Sequence, residues 1–213
     1  SPLSLIAGGT GLVGSHVIKA LSKKSGAQII LARSFDSEIP QNADLQIINF
    51  DSLSSNKVKL KNDIDHVYLC LGKRLSTHEL GYMQHSARES FKLIDFEYPL
   101  SIAKLAYDRG ARSIALVSAV GAQEGSFNYY FHIKGKLENE IKKIGYENIC
   151  FARPGHLLGA RKDFRGYEIP ILESGLRIAA PFMQGLLKNF RQIEARKVAE
   201  SMVMNLLNKQ KGE

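Results

Sequence analysis

No stretch of this 213-residue sequence approaches the ~20 consecutive apolar residues that cross a bilayer; the longest apolar runs have the length of strands, and no membrane association is expected. The opening residues SPLSLIAGGTG enter a strand-like run at once, with neither a basic segment nor a small-residue cleavage site. The lack of an initial Met suggests a processed or tag-derived terminus, and a cytoplasmic protein is the expectation. There are only two cysteines. Cys70 in HVYLCLG and Cys150 in ENICFARPG sit in apolar runs, where a thiol acts as a small buried hydrophobe, so no disulfide is expected. None of the six histidines forms a His-x-His or His-x-x-x-His pair, and neither cysteine has a partner at finger spacing. His78 and His85 can share a helix face, but a solvated or capping role suits them better, and no metal is expected. Internal repeats, low-complexity linkers and breaks in composition are also missing, which leaves one domain around one sizeable core.

A formal net charge of +8 raises the question of nucleic acid. The charges are spread, however. KKS, KVKLKN, KGKLENEIKK and RQIEARK are short, mostly mixed with acids and at helical spacing, the pattern of solvated helix faces. No nucleic-acid partner is expected, and a basic surface also suits an anionic phosphate cofactor.

Strand-like runs alternate with helical periodicity along the chain. LSLIAGG, AQIILAR, LQIINF, HVYLCLG, RSIALVS and NICFARPG read as six strands, most of them apolar on both faces. Val13, Val17, Ile18 and Leu21 recur at helical spacing, predicting a helix from Leu12 to about Lys24, with Gly26 as a stop before strand two. Asp51 to Asp65 reads as a short helix and loop. Thr77 to about Arg109 reads as one long helical stretch, or two helices broken near Tyr98-Pro99, ending at Gly110. Tyr129 to Ile144 is helical up to Gly145, and Val198, Ala199, Met202, Val203 and Leu206 mark an amphipathic closing helix. This alternation predicts an α/β chain: a single-domain Rossmann fold over residues 1–213, a doubly wound parallel sheet with helices on both faces. Ligands in such sheets bind past the carboxyl ends of the strands.

The loop IAGGTGLVGSHV carries two overlapping glycine patterns. Read from Gly9, it has the glycines of a nucleotide-hydrolase loop but supplies Ser15 and His16 where Lys and Ser or Thr must follow. Read from Gly8, it is Gly8-x-x-Gly11-x-x-Gly14 between a strand and a helix, the context of a dinucleotide fingerprint. Gly8 would make the tight turn, Gly11 would admit the pyrophosphate and Gly14 would let the helix pack on the strand. At the end of strand two, LARSFD places Arg33 and then Ser34 where an acid would mark NAD, so NADP(H) is expected over NAD(H). Asn49 and Asp51, beyond strand three, can hydrogen-bond an adenine amino group. Past strand four, Leu71 and Gly72 would pass close to the cofactor, with Lys73 and Arg74 near its phosphates.

Strand five ends in LVSAVGA, and YYFHIKGK follows, its Tyr130 twelve residues after Ser118. Tyr130 and Lys134 are four apart on one predicted helix and share a face. An ammonium beside a phenol lowers its pKa from about 10, so that it exchanges a proton near neutral pH. Ser118 can hydrogen-bond the same substrate oxygen, giving a site for carbonyl reduction or alcohol oxidation.

The ordered set GGTGLVGS, LARS, LCLG, LVSAVGA, YFHIK and FARPGHLLGAR resembles the atypical short-chain dehydrogenase/reductases, among them the Tat-interacting protein 30-like oxidoreductases, from Leu3 to about Arg161. The resemblance implies that Gly8, Thr10, Gly11, Leu12, Val13, Gly14 and Arg33 bind cofactor, and that Ser118, Tyr130 and Lys134 match the family's Ser-Tyr-Lys. RPG, containing Pro154 and Gly155, matches the segment leading to the nicotinamide, which His156 and Leu157 would contact. Ala119 follows Ser118 where many relatives carry a second serine. The family's Asn has no match; Asp95 lies in the comparable helix and is given no catalytic role. Residues 156–190 would form a small substrate-covering segment, with Ala160 to Met183 resting over the substrate. The leading reading is an NADP(H)-dependent reductase of a small carbonyl or alcohol substrate. The alternative is an NADP(H)-sensing regulatory or assembly protein with little turnover, and a homo-oligomer or a protein partner is compatible with either.

Overall fold

The computed structural model describes residues 2–24, 26–35, 38–55, 60, 63–73, 75, 77–154, 156–158 and 192–209. Its main sheet holds six strands, β1 (Leu3–Ala7), β2 (Ala27–Ala32), β3 (Ala43–Ile47), β4 (His66–Leu69), β5 (Ser113–Val117) and β6 (Asn148–Ala152), in the order β3-β2-β1-β4-β5-β6. Every pairing is parallel. The chain moves one way from β1 to β3 and the other way from β4 to β6, so the switch point lies between β1 and β4. This is the single-domain Rossmann arrangement expected, with its crevice at the carboxyl ends of the central strands.

The continuous apolar strands are buried because helices cover both faces. Ile6, Ile30, Tyr68 and Ala115 pack against α1 (Leu12–Ser22) and the closing helix α6 (Ala195–Lys209), through Val17, Leu21, Met202 and Val203. Their strand neighbours Leu5, Leu31, Leu69 and Leu116 face Phe91, Ile102, Ile133 and Leu137 on the opposite side. The alternation of side chains along each strand divides one sequence run between two cores. Edge strand β3 starts at Ala43, two residues earlier than the apolar run LQIINF suggests, because the Asn42 carbonyl already accepts a ladder bond from Gln28 N. It ends at Ile47, and Asn49 then turns the chain by accepting the Asp51 N–H at the start of a 3₁₀ turn, Phe50–Ser55. Neither Cys70 nor Cys150 is joined in a disulfide, and burial pushes the Cys70 thiol up to about 12.

Between β4 and β5 run α2 (Thr77–Gly81), α3 (His85–Lys92), a π-helical turn (Leu93–Glu97) and α4 (Tyr98–Asp108). The helix is not broken at Tyr98-Pro99. Proline lacks an N–H and clashes with the carbonyl four residues back; the wider π turn immediately before it accommodates both, and Pro99 sits in the first turn of α4. The break falls instead between Gly81 and His85.

Beyond β6 and the RPG segment lies a short strand that the sequence pattern does not predict. β7 (His156–Leu158) pairs in parallel with β8 (Gln192–Glu194), immediately before α6. Ala160 to Met183, expected to cover the substrate, lies outside the described residues, as does most of 156–190. Among the described residues no helix is long and apolar enough to cross a membrane.

Candidate active site

The turn after β1 is built around two close approaches. Gly8 has φ +85°, and a β-carbon there would lie 2.6 Å from the carbonyl of Cys70, so this turn can sit against the end of β4 only as glycine. A β-carbon at Gly14 would lie 2.2 Å from the Gly8 carbonyl oxygen. That oxygen also accepts the Gly11 N–H at 3.0 Å. Helix α1 then opens at Leu12 with no side-chain cap and no acid in its first turn, which leaves its N-terminal N–H groups and positive dipole end open to an anion. Thr10 is exposed, Leu12 half-buried and Val13 buried. A glycine-rich cradle ending on an uncapped helix fits a pyrophosphate.

Arg33 and Ser34 stand exposed at the end of β2. Nearby, the Tyr98 hydroxyl donates to the Asp51 carboxylate. Burial, aided by the hydrogen bond to Asp51 and its charge, pushes this hydroxyl up to about 12, against the opposing pull of the Arg33 guanidinium. Arg33 thus lies within electrostatic reach of this phenol. Asn49, besides accepting the Asp51 N–H, accepts at its backbone carbonyl from Ser52. Past β4, Leu71 is half-buried and Gly72 exposed. Lys73 donates its ammonium to Ser90 Oγ at 2.7 Å, and Arg74 lies outside the described residues.

Ser118 follows β5, its N–H bonded to the Ala152 carbonyl at 2.7 Å. It is buried, and its hydroxyl has no hydrogen-bond partner among the described residues. Such an orphaned buried oxygen fits a site that receives its partner from a bound molecule. Pro154 is buried and its carbonyl accepts from Val120 N. Gly155 and the side chains of His156 and Leu157 lie outside what is described.

Helix α5 (Tyr129–Ile144) carries Tyr130 and Lys134 on one face, with Lys134 Nζ 6.0 Å from the centroid of the Tyr130 ring. Phe91 packs against that ring at 5.7 Å. Lys134 is only 4% exposed, and its ammonium is held by Asp95 Oδ1 at 2.8 Å. Burial draws the lysine pKa down, but Asp95, Tyr130 and Glu138 together outweigh it and leave it raised. The phenol also ends up raised: burial lifts it, Lys134 lowers it and Asp95 lifts it again. The lowering expected from a lysine four residues away is therefore present but outweighed.

Two residues that shape this site, Asn128 and Glu138, have no place in the sequence reading, and a third, Asp95, has a place there but no role. Asp95 is buried within LIDFE, and an acid flanked by apolar residues on a helix is the signal that would mark it. Asn128 caps α5, accepting from the N–H groups of Tyr130 and Phe131, while its amide donates to the Leu80 carbonyl at 2.8 Å. An Asn just before a helical run is a capping signature. Glu138, buried one turn beyond Lys134, receives two hydrogen bonds from Arg153, tying the end of β6 to α5.

Comparison with known proteins places this geometry in context. Residues 4–135 match the NAD dependent epimerase/dehydratase family. Protein FMP52, mitochondrial, of Candida albicans is 30% identical over 210 residues, covering 96% of this chain and 89% of that protein. Among solved structures, the UDP-Glc/GlcNAc 4-epimerase of Campylobacter jejuni superposes with a TM-score of 0.71 at 12% identity, over 100% of this chain and 76% of that one. MoeE5, solved with UDP-glucose and NAD, gives a TM-score of 0.65 at 11% identity, over 95% and 71%.

Two expectations are corrected by these findings. The preference for NADP(H) over NAD(H) is overturned: the matching family is NAD dependent, and MoeE5 was solved with NAD. Physically, an exposed arginine at a strand end selects a 2′-phosphate only where one is presented to it, and its place in the sequence does not exclude a ribose hydroxyl there. The cytoplasmic assignment is overturned by the mitochondrial FMP52 relative. Compartment is set by targeting signals that receptors read, which the composition of a folded domain does not report. The comparisons support the wider dehydrogenase/reductase assignment and give no support to the finer likeness to the Tat-interacting protein 30-like oxidoreductases.

Proposed function

The chain belongs to the NAD dependent epimerase/dehydratase family, and from that premise we propose that Tyr130, Lys134 and Ser118 form its catalytic group, acting on a small-molecule alcohol or carbonyl. The broad class is an oxidoreductase working at a CH–OH or carbonyl group with a nicotinamide dinucleotide. The observation that carries the finer reading is the Tyr130–Lys134 pair, in which an ammonium almost wholly out of water lies under a phenol at the carboxyl edge of the sheet.

When bound, the dinucleotide supplies hydride transfer. Gly8, Thr10, Gly11, Leu12, Val13 and Gly14 would hold its pyrophosphate, and Arg33, Ser34, Asn49 and Asp51 its adenosine end. Leu71, Gly72, Pro154, Gly155, His156 and Leu157 would line the nicotinamide side, with Lys134 on that ribose. Tyr130 gives a proton to the substrate oxygen, or takes one from it, while Ser118 Oγ orients the same oxygen. The raised phenol favours giving: near neutral pH the proton is in place for reduction. Residues 156–190 would close over the substrate and exclude water. The mitochondrion is the proposed compartment, and the epimerase and MoeE5 neighbours make nucleotide sugars the first substrates to try.

The test is turnover with NAD and NADH on a panel of nucleotide sugars, small carbonyls and alcohols. Tyr130→Phe should lower turnover about 10²–10⁴-fold while leaving equilibrium NADH binding unchanged. A parent protein that binds NADH yet turns over nothing on a broad panel would overturn the enzyme reading and favour a cofactor-sensing protein.

A further inference from the structure

Asp95 is one of the few charged side chains in the core of this protein, and both of its oxygens are engaged. Oδ1 lies 2.8 Å from Lys134 Nζ, and Oδ2 accepts the backbone N–H of Lys73 at 2.7 Å. Lys73 belongs to the segment that leaves β4, next to Gly72, whose missing β-carbon would lie 3.5 Å from Asp95 Oδ1. The carboxylate is presented by the π-helical turn Leu93–Glu97, whose extra residue shifts Asp95 relative to the helix before it. π turns of this kind are frequent at functional sites. Two elements that share no local hydrogen-bonding pattern thus meet on one buried acid.

We propose that Asp95 is a positioning residue of the reaction, fixing the Lys134 ammonium through one oxygen and the segment after β4 through the other. It sets the catalytic face of α5 and the cofactor-side edge of β4 in register with each other. The proposal rests on the assignment of Tyr130 and Lys134 as the proton-handling pair. A carboxylate here also balances the lysine charge, so Lys134 can remain an ammonium out of water without stripping the proton from Tyr130. The other groups facing Lys134 are Tyr130 and Glu138 from α5; Glu138 is itself balanced by Arg153, just after β6, and the Lys73 ammonium is engaged by Ser90 on α3. Asp95 is the counter-ion that decides the charge of the pair.

Two variants of the full chain test this. Asp95→Asn keeps the shape but has one acceptor oxygen for two donors and no charge. Asp95→Leu with Lys134→Met replaces the ion pair by an apolar one, a change that buried pairs tolerate, and serves if the single variant does not fold. Amide hydrogen exchange at Lys73, measured without dinucleotide or substrate, should speed up about tenfold or more in either variant. In Asp95→Asn the basic limb of the pH profile for reductive turnover should move down by about one pH unit, because the pair sheds its proton earlier whichever group holds it. Unchanged exchange at Lys73, or a basic limb that stays in place, overturns the proposal. A merely structural ion pair would alter melting and leave that limb fixed. If the parent shows no turnover, the catalytic assignment fails by itself, while exchange at Lys73 still reports whether Asp95 holds the segment.

Discussion

Gly14 rests directly on the carbonyl of Gly8, with no space between them for even a methyl group: a β-carbon there would be 2.2 Å from the oxygen. The start of α1 and the turn after β1 are therefore one rigid unit. Because the neighbouring atoms are backbone, they cannot swing aside as a flexible side chain would.

Gly14→Ala should force α1 away from the turn. The cost expected is about 1–3 kcal/mol of overpacking, seen as a melting temperature lowered by several degrees. Binding of NADH should weaken more than stability does, since the N–H groups of the first helical turn move off their line. Calorimetry paired with a fluorescence titration reads both, and unaltered binding would sink the pyrophosphate assignment.

Asn128→Ala removes the cap of α5 and its tie to the Leu80 carbonyl. A loss of about 1 kcal/mol is expected from the cap. Turnover should fall with it, because Tyr130 stands in the first turn of the helix that the cap defines. Asn128→Asp, which keeps the accepting oxygen but cannot donate to the Leu80 carbonyl, should restore the cap's share alone and is the control.

Arg153→Gln leaves the Glu138 carboxylate, 2% exposed, without its ion partner. Because the guanidinium itself is 47% exposed, the loss expected is about 1–3 kcal/mol, less than for a wholly buried pair. Arg153→Gln with Glu138→Gln should recover most of it. A double-mutant cycle by chemical denaturation gives the coupling, and a coupling of zero would show that the pair contributes nothing.

His66 is fully buried on β4, and its two ring nitrogens find no hydrogen-bond partner among the described residues. Burial lowers its pKa from the ordinary 6.5, with Asp65 opposing. The unfolded chain therefore takes up a proton near pH 6.5 that the folded chain resists. Stability should be constant above that pH and fall as pH drops below it. Unfolding titrations from pH 8 to 5 check the slope, which His66→Gln should flatten; an equal slope in both proteins would place its origin elsewhere.

Local pattern was enough for much of this protein. The apolar runs marked the six strands of the main sheet, glycine spacing marked the turn after β1, and four-residue spacing put Tyr130 and Lys134 on one helix face. Each depends on neighbours within a turn or a strand, where chemistry and geometry are tied by backbone periodicity. The edge strand β3 was misjudged by two residues, because its start is set by a ladder bond to β2 and not by its own apolar run. Pro99 left one long helical stretch or two helices both open, because proline often breaks a helix, and the π turn ahead of it decides for continuity.

The sequence by itself determined the fold class and the two motifs that suggest a dinucleotide and a use for it. The tertiary structure decided which charges meet. Asp95 finds Lys73 across 22 positions of sequence and Tyr98 finds Asp51 across 47. No local spacing encodes such meetings; they follow from where a parallel sheet brings its strand ends and how a helix is wound above them. For that reason a lysine read as lowering the Tyr130 pKa is overruled by burial and a counter-ion, and an arginine at the end of β2 does not select NADP by its place in the sequence alone.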